Sequence, residues 1–175
     1  MKIATWNLQR PLLSNRRRRE RIREHLRRVD ADIWVLTETH DVVTPGEDFR
    51  ASSTEGFDRP SKSGERWVTI WSRFPAEPLP PTSDAVRSVA VRIAPPHGAR
   101  IVVYGTVLPW LGSSWRSFPA TNGQAFAAAL QVQRSDWQQI RLAHPDHGLV
   151  VAGDFNQDLS SEHYYGSSAN RDHIA

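Results

Sequence analysis

Alternating apolar and polar positions predict an order of strand, helix and strand at the start of the chain. Residues 2–6 alternate as in a β-strand and are followed by Asn7. A helix capped at residue 14 or 15 is expected to end near residue 29, because one apolar stripe recurs at spacings of four and three: Ile22, Leu26 and Val29. Residues 33–36 form a short apolar run that is typical of a buried strand. This order predicts a parallel crossover unit.

The rest of the chain reads as several strands, one long helix and a last strand. Residues 41–65 have no period and are predicted to be a loop, and prolines 75–81 a connector. The elements expected from the patterns are a strand at 67–72, a hairpin of strands at 86–93 and 100–107, a helix at about 123–143 and a strand at 148–152. The order indicates an α/β protein with a mixed sheet or two packed sheets.

Composition narrows the class of protein and of metal site. The 175 residues, 39% hydrophobic and 23% charged, are enough for one soluble globular domain. No apolar stretch approaches the roughly 18 residues of a membrane span. The start of the chain has no secretory signal pattern, so a cytoplasmic location is expected. Cysteine is absent, so a metal would need oxygen or imidazole ligands, which favours Mg²⁺, Mn²⁺ or Ca²⁺ over zinc.

The net charge of +3 is concentrated in one segment. Residues 10–28 hold nine arginines against Glu20 and Glu24, a net of +7, so the rest of the chain carries −4. The high pI of 9.8 therefore reflects one predicted helix. Its arginines either form a solvated outer face or bind a phosphate backbone.

Three apolar segments end on polar side chains. The first is followed by Asn7, the second by Glu38 and the last by Asp154 and Asn156. If these strands lie side by side in one direction, two carboxylates and two amides converge, as a site for a hard cation requires. The alternative is that each polar residue only caps a turn.

Four short motifs occur in an order that resembles the endonuclease/exonuclease/phosphatase superfamily. They are T-W-N at 5–7, L-T-E at 36–38, S-R-F-P at 72–75 and G-D-F-N at 153–156. The resemblance implies a four-layer α/β sandwich, with two packed mixed β-sheets flanked by helices. It also implies hydrolysis of phosphoester bonds that depends on Mg²⁺ or Mn²⁺, as in a phosphodiesterase or nuclease.

The resemblance assigns a role to each polar strand end. Glu38 resembles the metal-binding glutamate, and Asn7 resembles the asparagine that lines the metal and phosphate site. Asp154 is similar to the aspartate that orients or deprotonates the attacking water. Asn156 is similar to its companion, which binds the phosphate and fixes the nucleophile.

The sequence departs from the family in two places. Where relatives carry a phosphate-contacting Tyr or His, the nearest residues are Thr106 and Val107. Tyr104 lies too early in the strand, and it either contacts the phosphate or packs in the core. The family's terminal Ser-Asp-His is matched only by Asp172 and His173, because Arg171 stands where the serine is expected. The segment between Asp154 and Asp172 is also too short for the strands and helix that precede this motif in relatives. We therefore expect residues 1–175 to be a single domain that lacks the usual C-terminal part, with an incomplete second sheet.

Three hypotheses about function remain. The first is a divalent-metal-dependent phosphodiesterase or nuclease, whose substrate is a nucleic acid, a phospholipid head group or an inositol phosphate. The second is a catalytically incompetent fragment or pseudoenzyme that acts as a binding protein. The third is a nucleic-acid-binding module that uses the arginine-rich helix. The sequence does not indicate an oligomeric state.

Overall fold

A computed structural model describes residues 1–46, 49–55, 62–110 and 112–157. The strands are β1 (Ile3–Asn7), β2 (Ile33–His40), β3 (Phe49–Ser52), β4 (Glu65–Ser72), β5 (Ala76–Pro78), β6 (Ser88–Ile93), β7 (Ile101–Val107) and β8 (Gly148–Asp154). The two α-helices of these ranges are α1 (Arg16–Val29) and α2 (Gln124–Ala143). Neither is long and apolar enough to cross a membrane.

The strands form two four-stranded mixed sheets with similar plans. The first has the order β1-β2-β4-β3, and β1 runs parallel to β2 through the crossover helix α1. The second has the order β5-β6-β7-β8, and β7 runs parallel to β8 through α2. Each sheet therefore has one parallel pair at an edge, and its other pairs are antiparallel.

Side-chain alternation along the strands builds the layers. Ile33 and Val35 of β2 face the second sheet, while Trp34 and Leu36 pack with the apolar stripe of α1. On β7, residues 101, 103 and 107 face the first sheet. Because α1 covers one outer face and α2 covers the other, the predicted four-layer α/β sandwich of two mixed sheets is confirmed.

Element boundaries differ from the sequence-based expectations in three places. Residues 41–65 were expected to be a loop, but β3 lies within them and pairs with β4. The proline connector contains the short edge strand β5. The strand β2 continues to His40, because β4 still pairs with it at Thr39 and His40, and Glu38 therefore lies inside a strand. The predicted incompleteness of the second sheet concerns residues beyond 157, which lie outside the described residues.

A buried polar network joins β7 to α2. The Tyr104 hydroxyl lies 2.9 Å from both Ser88 Oγ and Asp136 Oδ2. The backbone N–H and the hydroxyl of Ser83 also donate to the Asp136 carboxylate. Burial, the largest cause, raises the pKa of the Tyr104 phenol far above its ordinary value. Tyr104 therefore belongs to the outer core.

Because of this shift in the pKa of Tyr104, the protein should lose stability as the pH rises into the alkaline range. Because the folded state raises the pKa of Tyr104, the stabilisation is complete below about pH 10 and is lost as pH rises further. We expect the free energy of unfolding in urea to fall between pH 9 and pH 11 less steeply in Tyr104→Phe than in the parent. Equal slopes for the two proteins would contradict this assignment.

Candidate active site

The edge strands β1 and β8 bring polar residues of the two sheets together. Asn7 ends β1, and Asp154 ends β8. Asn7 Nδ2 donates to Asp154 Oδ2 at 2.6 Å and to Glu38 Oε1 at 3.1 Å. One amide group thus bridges two carboxylates that are 116 residues apart in the chain.

The orientation of the Asn7 amide follows from its neighbours. Its Oδ1 accepts a hydrogen bond from the Gln9 backbone N–H at 2.8 Å. An ionised carboxylate only accepts hydrogen bonds, so the –NH₂ end must face Glu38 and Asp154. The two donated bonds reduce the repulsion between the carboxylates and fix the distance between the sheets at this point.

Asn156 is connected through Asp154 to the cluster of polar side chains formed by Asn7, Glu38 and Asp154. The Asn156 backbone N–H donates to Asp154 Oδ1 at 2.9 Å, as in an Asx turn. Its side-chain Nδ2 donates to the Leu108 carbonyl at 2.8 Å, and the Leu108 N–H returns a bond to the Asp154 carbonyl. Asn156 therefore holds the loop after β8 against the end of β7, and both Asp154 oxygens have a donor.

Unusual backbone conformations concentrate at this cluster. Among the described non-glycine residues, six have a positive φ, and four of those lie here: Gln9, Arg10, Glu38 and Asn156. Such conformations cost about 1–3 kcal/mol each for residues other than Gly, Asn and Asp. The surrounding contacts must offset this cost, and backbone strain of this kind is common at functional sites.

Two arginines lie over one tryptophan beside the carboxylates. The guanidinium of Arg10 is 5.0 Å from the ring centre of Trp67, and that of Arg87 is 4.8 Å from it. Arg10 Nε also lies 3.1 Å from Glu38 Oε2. Burial, and secondly the positive charge of Arg10, lower the pKa of Arg87 to about 10. The cluster is therefore flanked by two cations.

The remaining site predictions fall elsewhere or cannot be placed. Tyr104 is fully buried beneath α2, and the hydroxyl of Thr106 donates to Gln133 Oε1 at 2.6 Å. Both side chains point toward α2, away from the face that carries Asn7 and Asp154. Asp172 and His173 lie outside the described residues, so the prediction of a missing C-terminal part stays a prediction.

The sequence analysis missed the Arg10, Trp67 and Arg87 group. Arg10 had a signal, since it follows the T-W-N motif by three residues. Trp67 was interpreted only as a strand aromatic, and Arg87 as part of a strand. Trp67 lies on β4 of the same sheet as β1, and Arg87 precedes β6 of the other sheet, so their contacts with Arg10 depend on strand order and sheet packing, which no local pattern reveals.

Comparisons with known proteins identify the family. The sequence pattern of the "Endonuclease/Exonuclease/phosphatase family" matches residues 4–174. The chain belongs to this family. No curated protein matches the chain at the sequence level.

Solved structures share the fold of this family member at low sequence identity. An AP endonuclease from Leishmania major has a TM-score of 0.71 and 15% identity, over 99% of this chain and 64% of that one. An AP endonuclease from Archaeoglobus fulgidus has a TM-score of 0.61 and 17% identity, over 99% of this chain and 68% of that one. D. rerio TDP2 complexed with single strand DNA product has a TM-score of 0.60 and 17% identity, over 90% of this chain and 61% of that one. The chain thus spans about two thirds or less of the length of these proteins.

The family generally depends on divalent metal, and the donor atoms at the cluster fit a hard cation. Glu38 supplies a carboxylate beside Asn7 and Asp154, and Mg²⁺ typically takes one or two carboxylates while it keeps waters and substrate oxygens. Within the described ranges no group of three or more His, Asp or Glu side chains is placed to hold a metal. A cation here would therefore depend strongly on Glu38 and on ligands from water and substrate.

Proposed function

We propose that this chain is a divalent-metal-dependent phosphodiesterase that cleaves nucleic acid. The observation that carries the proposal is the bridge from Asn7 to both Glu38 and Asp154. It joins the amide that ends the edge strand β1 to the carboxylate that ends the edge strand β8 and to Glu38 of the neighbouring strand β2, in a family whose members hydrolyse phosphoesters. The strained backbone around the bridge supports a functional site over three independent turn caps.

Each residue has a role that its position can serve. Glu38 would hold Mg²⁺ or Mn²⁺, because its carboxylate is 20% exposed and lies next to Asn7. When bound, the cation would polarise the phosphoryl oxygen and neutralise charge on the leaving oxygen. Asn7 would keep the two carboxylates at a fixed separation, and it would donate an N–H to the phosphate if it released one of its two hydrogen bonds to them.

Asp154 would be the general base that takes a proton from the attacking water. Its two oxygens are oriented by Asn7 Nδ2 and by the Asn156 backbone N–H. Such orientation favours proton abstraction along one direction, and a positioned base contributes about 10²–10⁴-fold to the rate. Asn156 would position Asp154 through this contact and would bind the phosphate if its side chain leaves the Leu108 carbonyl.

Nucleic acid is the substrate class that the neighbours and the charge favour. The fold neighbours include AP endonucleases and a TDP2 bound to a DNA product. The helix α1 starts six residues after Arg10 and exposes several arginines to solvent: Arg16, Arg17, Arg21, Arg27 and Arg28. Because the first turn of α1 follows the site loop, Arg16 and Arg17 lie at the end of the helix nearer the proposed centre and would attract a phosphate backbone.

The test is cleavage of supercoiled plasmid, of a duplex with an abasic site and of bis-p-nitrophenyl phosphate, with Mg²⁺ and with EDTA. We expect activity that requires the metal. Glu38→Gln should bind Mn²⁺ at least about tenfold more weakly and lose activity in step, because the charged ligand is gone. Cleavage that survives EDTA or Glu38→Gln would contradict the proposal. A folded chain that binds Mn²⁺ but cleaves none of these would favour the binding-protein alternative.

A further inference from the structure

Arg10 forms an ion pair with Glu38, the proposed metal ligand, at one of its two carboxylate oxygens. Its Nε lies 3.1 Å from Glu38 Oε2, while Asn7 Nδ2 lies 3.1 Å from Glu38 Oε1. Oε1 therefore accepts a hydrogen bond from Asn7, and Oε2 lies within ion-pair distance of the Arg10 guanidinium without accepting a hydrogen bond from Nε. A divalent cation that binds Glu38 must displace the guanidinium from Oε2 or bind beside it against charge repulsion.

The position of Arg10 is held by contacts besides the ion pair. Its guanidinium lies over Trp67, which is buried in the core between the sheets. Its backbone N–H donates to the Glu38 carbonyl at 2.8 Å. Arg10 has a φ of +51° and Glu38 a φ of +46°, so both partners hold uncommon backbone conformations that keep them face to face.

We propose that Arg10 is a built-in counter-cation of Glu38, which competes with the divalent metal and lowers the metal affinity of the site. The inference rests on the proposed function, since it takes Glu38 as the metal ligand. Without metal, Arg10 compensates the charge that the cation would otherwise neutralise. A cation bound to Glu38 would break this ion pair and would leave the guanidinium beside Trp67.

The inference predicts a gain of metal affinity on mutation. Arg10→Gln removes the competing charge, so Mn²⁺ should bind roughly tenfold more tightly, a moderate effect because Arg10 is 25% exposed and Glu38 20%. Arg10→Lys keeps a cation beside Glu38 and should stay close to the parent. The matched control is Arg100→Gln, which removes an exposed arginine paired with Asp146 and should leave Mn²⁺ affinity unchanged.

Mn²⁺ binding is measured by electron paramagnetic resonance and calorimetry on the whole chain, with thermal unfolding of each variant before metal is added. Damage to the site would weaken binding, so tighter binding in Arg10→Gln cannot come from misfolding. As a second measurement on the parent, the ¹⁵Nε–H signal of Arg10 is followed while Mg²⁺ is added. We expect it to shift with the same midpoint as Mg²⁺ binding.

The outcomes separate this inference from the proposed function. If Glu38→Gln abolishes Mn²⁺ binding but Arg10→Gln does not tighten it, the inference is overturned and the proposed function stands. An Arg10 signal that ignores Mg²⁺ in the parent would also overturn it. If Glu38→Gln leaves binding unchanged, the metal binds elsewhere, and both proposals fail.

Discussion

Asp154→Asn is expected to lower kcat for phosphodiester cleavage by about 10²–10⁴-fold, the contribution of a positioned general base. Asparagine has the same shape but cannot take a proton from water. One of its terminal atoms would also present a donor to Asn7 Nδ2 or to the Asn156 backbone N–H, which both donate to Asp154 now. The measurement is single-turnover cleavage at saturating Mg²⁺, so that weaker metal binding does not contribute.

The matched control is Asp146→Asn, which removes a carboxylate that is 58% exposed and pairs with Arg100. It should leave kcat unchanged. The role of Asp154 as a base also predicts that Asp154→Asn retains Mn²⁺ affinity within a few-fold, whereas Glu38→Gln does not. If Asp154→Asn instead lost metal binding and regained full rate at high Mn²⁺, Asp154 would be a metal ligand and the assignment as base would be wrong.

The layers of the fold could be predicted because their elements carry strong local patterns. The stripe of Ile22 and Leu26 on α1 and the apolar run of β2 each indicate both the element and its buried face. The strands β3 and β5 could not be predicted. Within β3 only Ala51 is buried, and β5 has three residues and ends on a proline at the edge of a sheet. Both exist because a longer strand pairs with them.

The site could be predicted as far as its motifs carry the chemistry. Asn7, Glu38 and Asp154 were selected as polar residues after apolar runs, and the structure brings these three together. The placement of Glu38 at a strand end was wrong, since β2 continues past it. The contact of Arg10 with Glu38 depends on the pairing of β1 with β2, and the contact of Arg87 with Trp67 depends on the packing of the second sheet on the first, so local patterns could not predict the cationic side of the site.

Replacement of Gly153 by alanine should strongly destabilise the protein. Gly153 lies in β8 opposite Thr106 of β7, with a φ of +140°, and a Cβ there would be 1.9 Å from the Thr106 carbonyl oxygen. The backbone of Thr106 is held in the β6-β7-β8 ladder, so it cannot move away alone. Gly153→Ala must therefore separate β8 from β7 near Asp154, which should cost about 3 kcal/mol or more.

Urea unfolding of Gly153→Ala beside Gly148→Ala measures this cost within one strand. A Cβ at Gly148 would meet Ile101 Cγ2 at 3.7 Å, an ordinary contact, so this control should unfold within about 1 kcal/mol of the parent. Gly153→Ala should also lose cleavage, because the end of β8 carries Asp154 and its bond to Asn7. Equal unfolding free energies for the two variants would mean that β8 tolerates a side chain at Gly153. The glycine of the G-D-F-N motif would then not be required to position the aspartate.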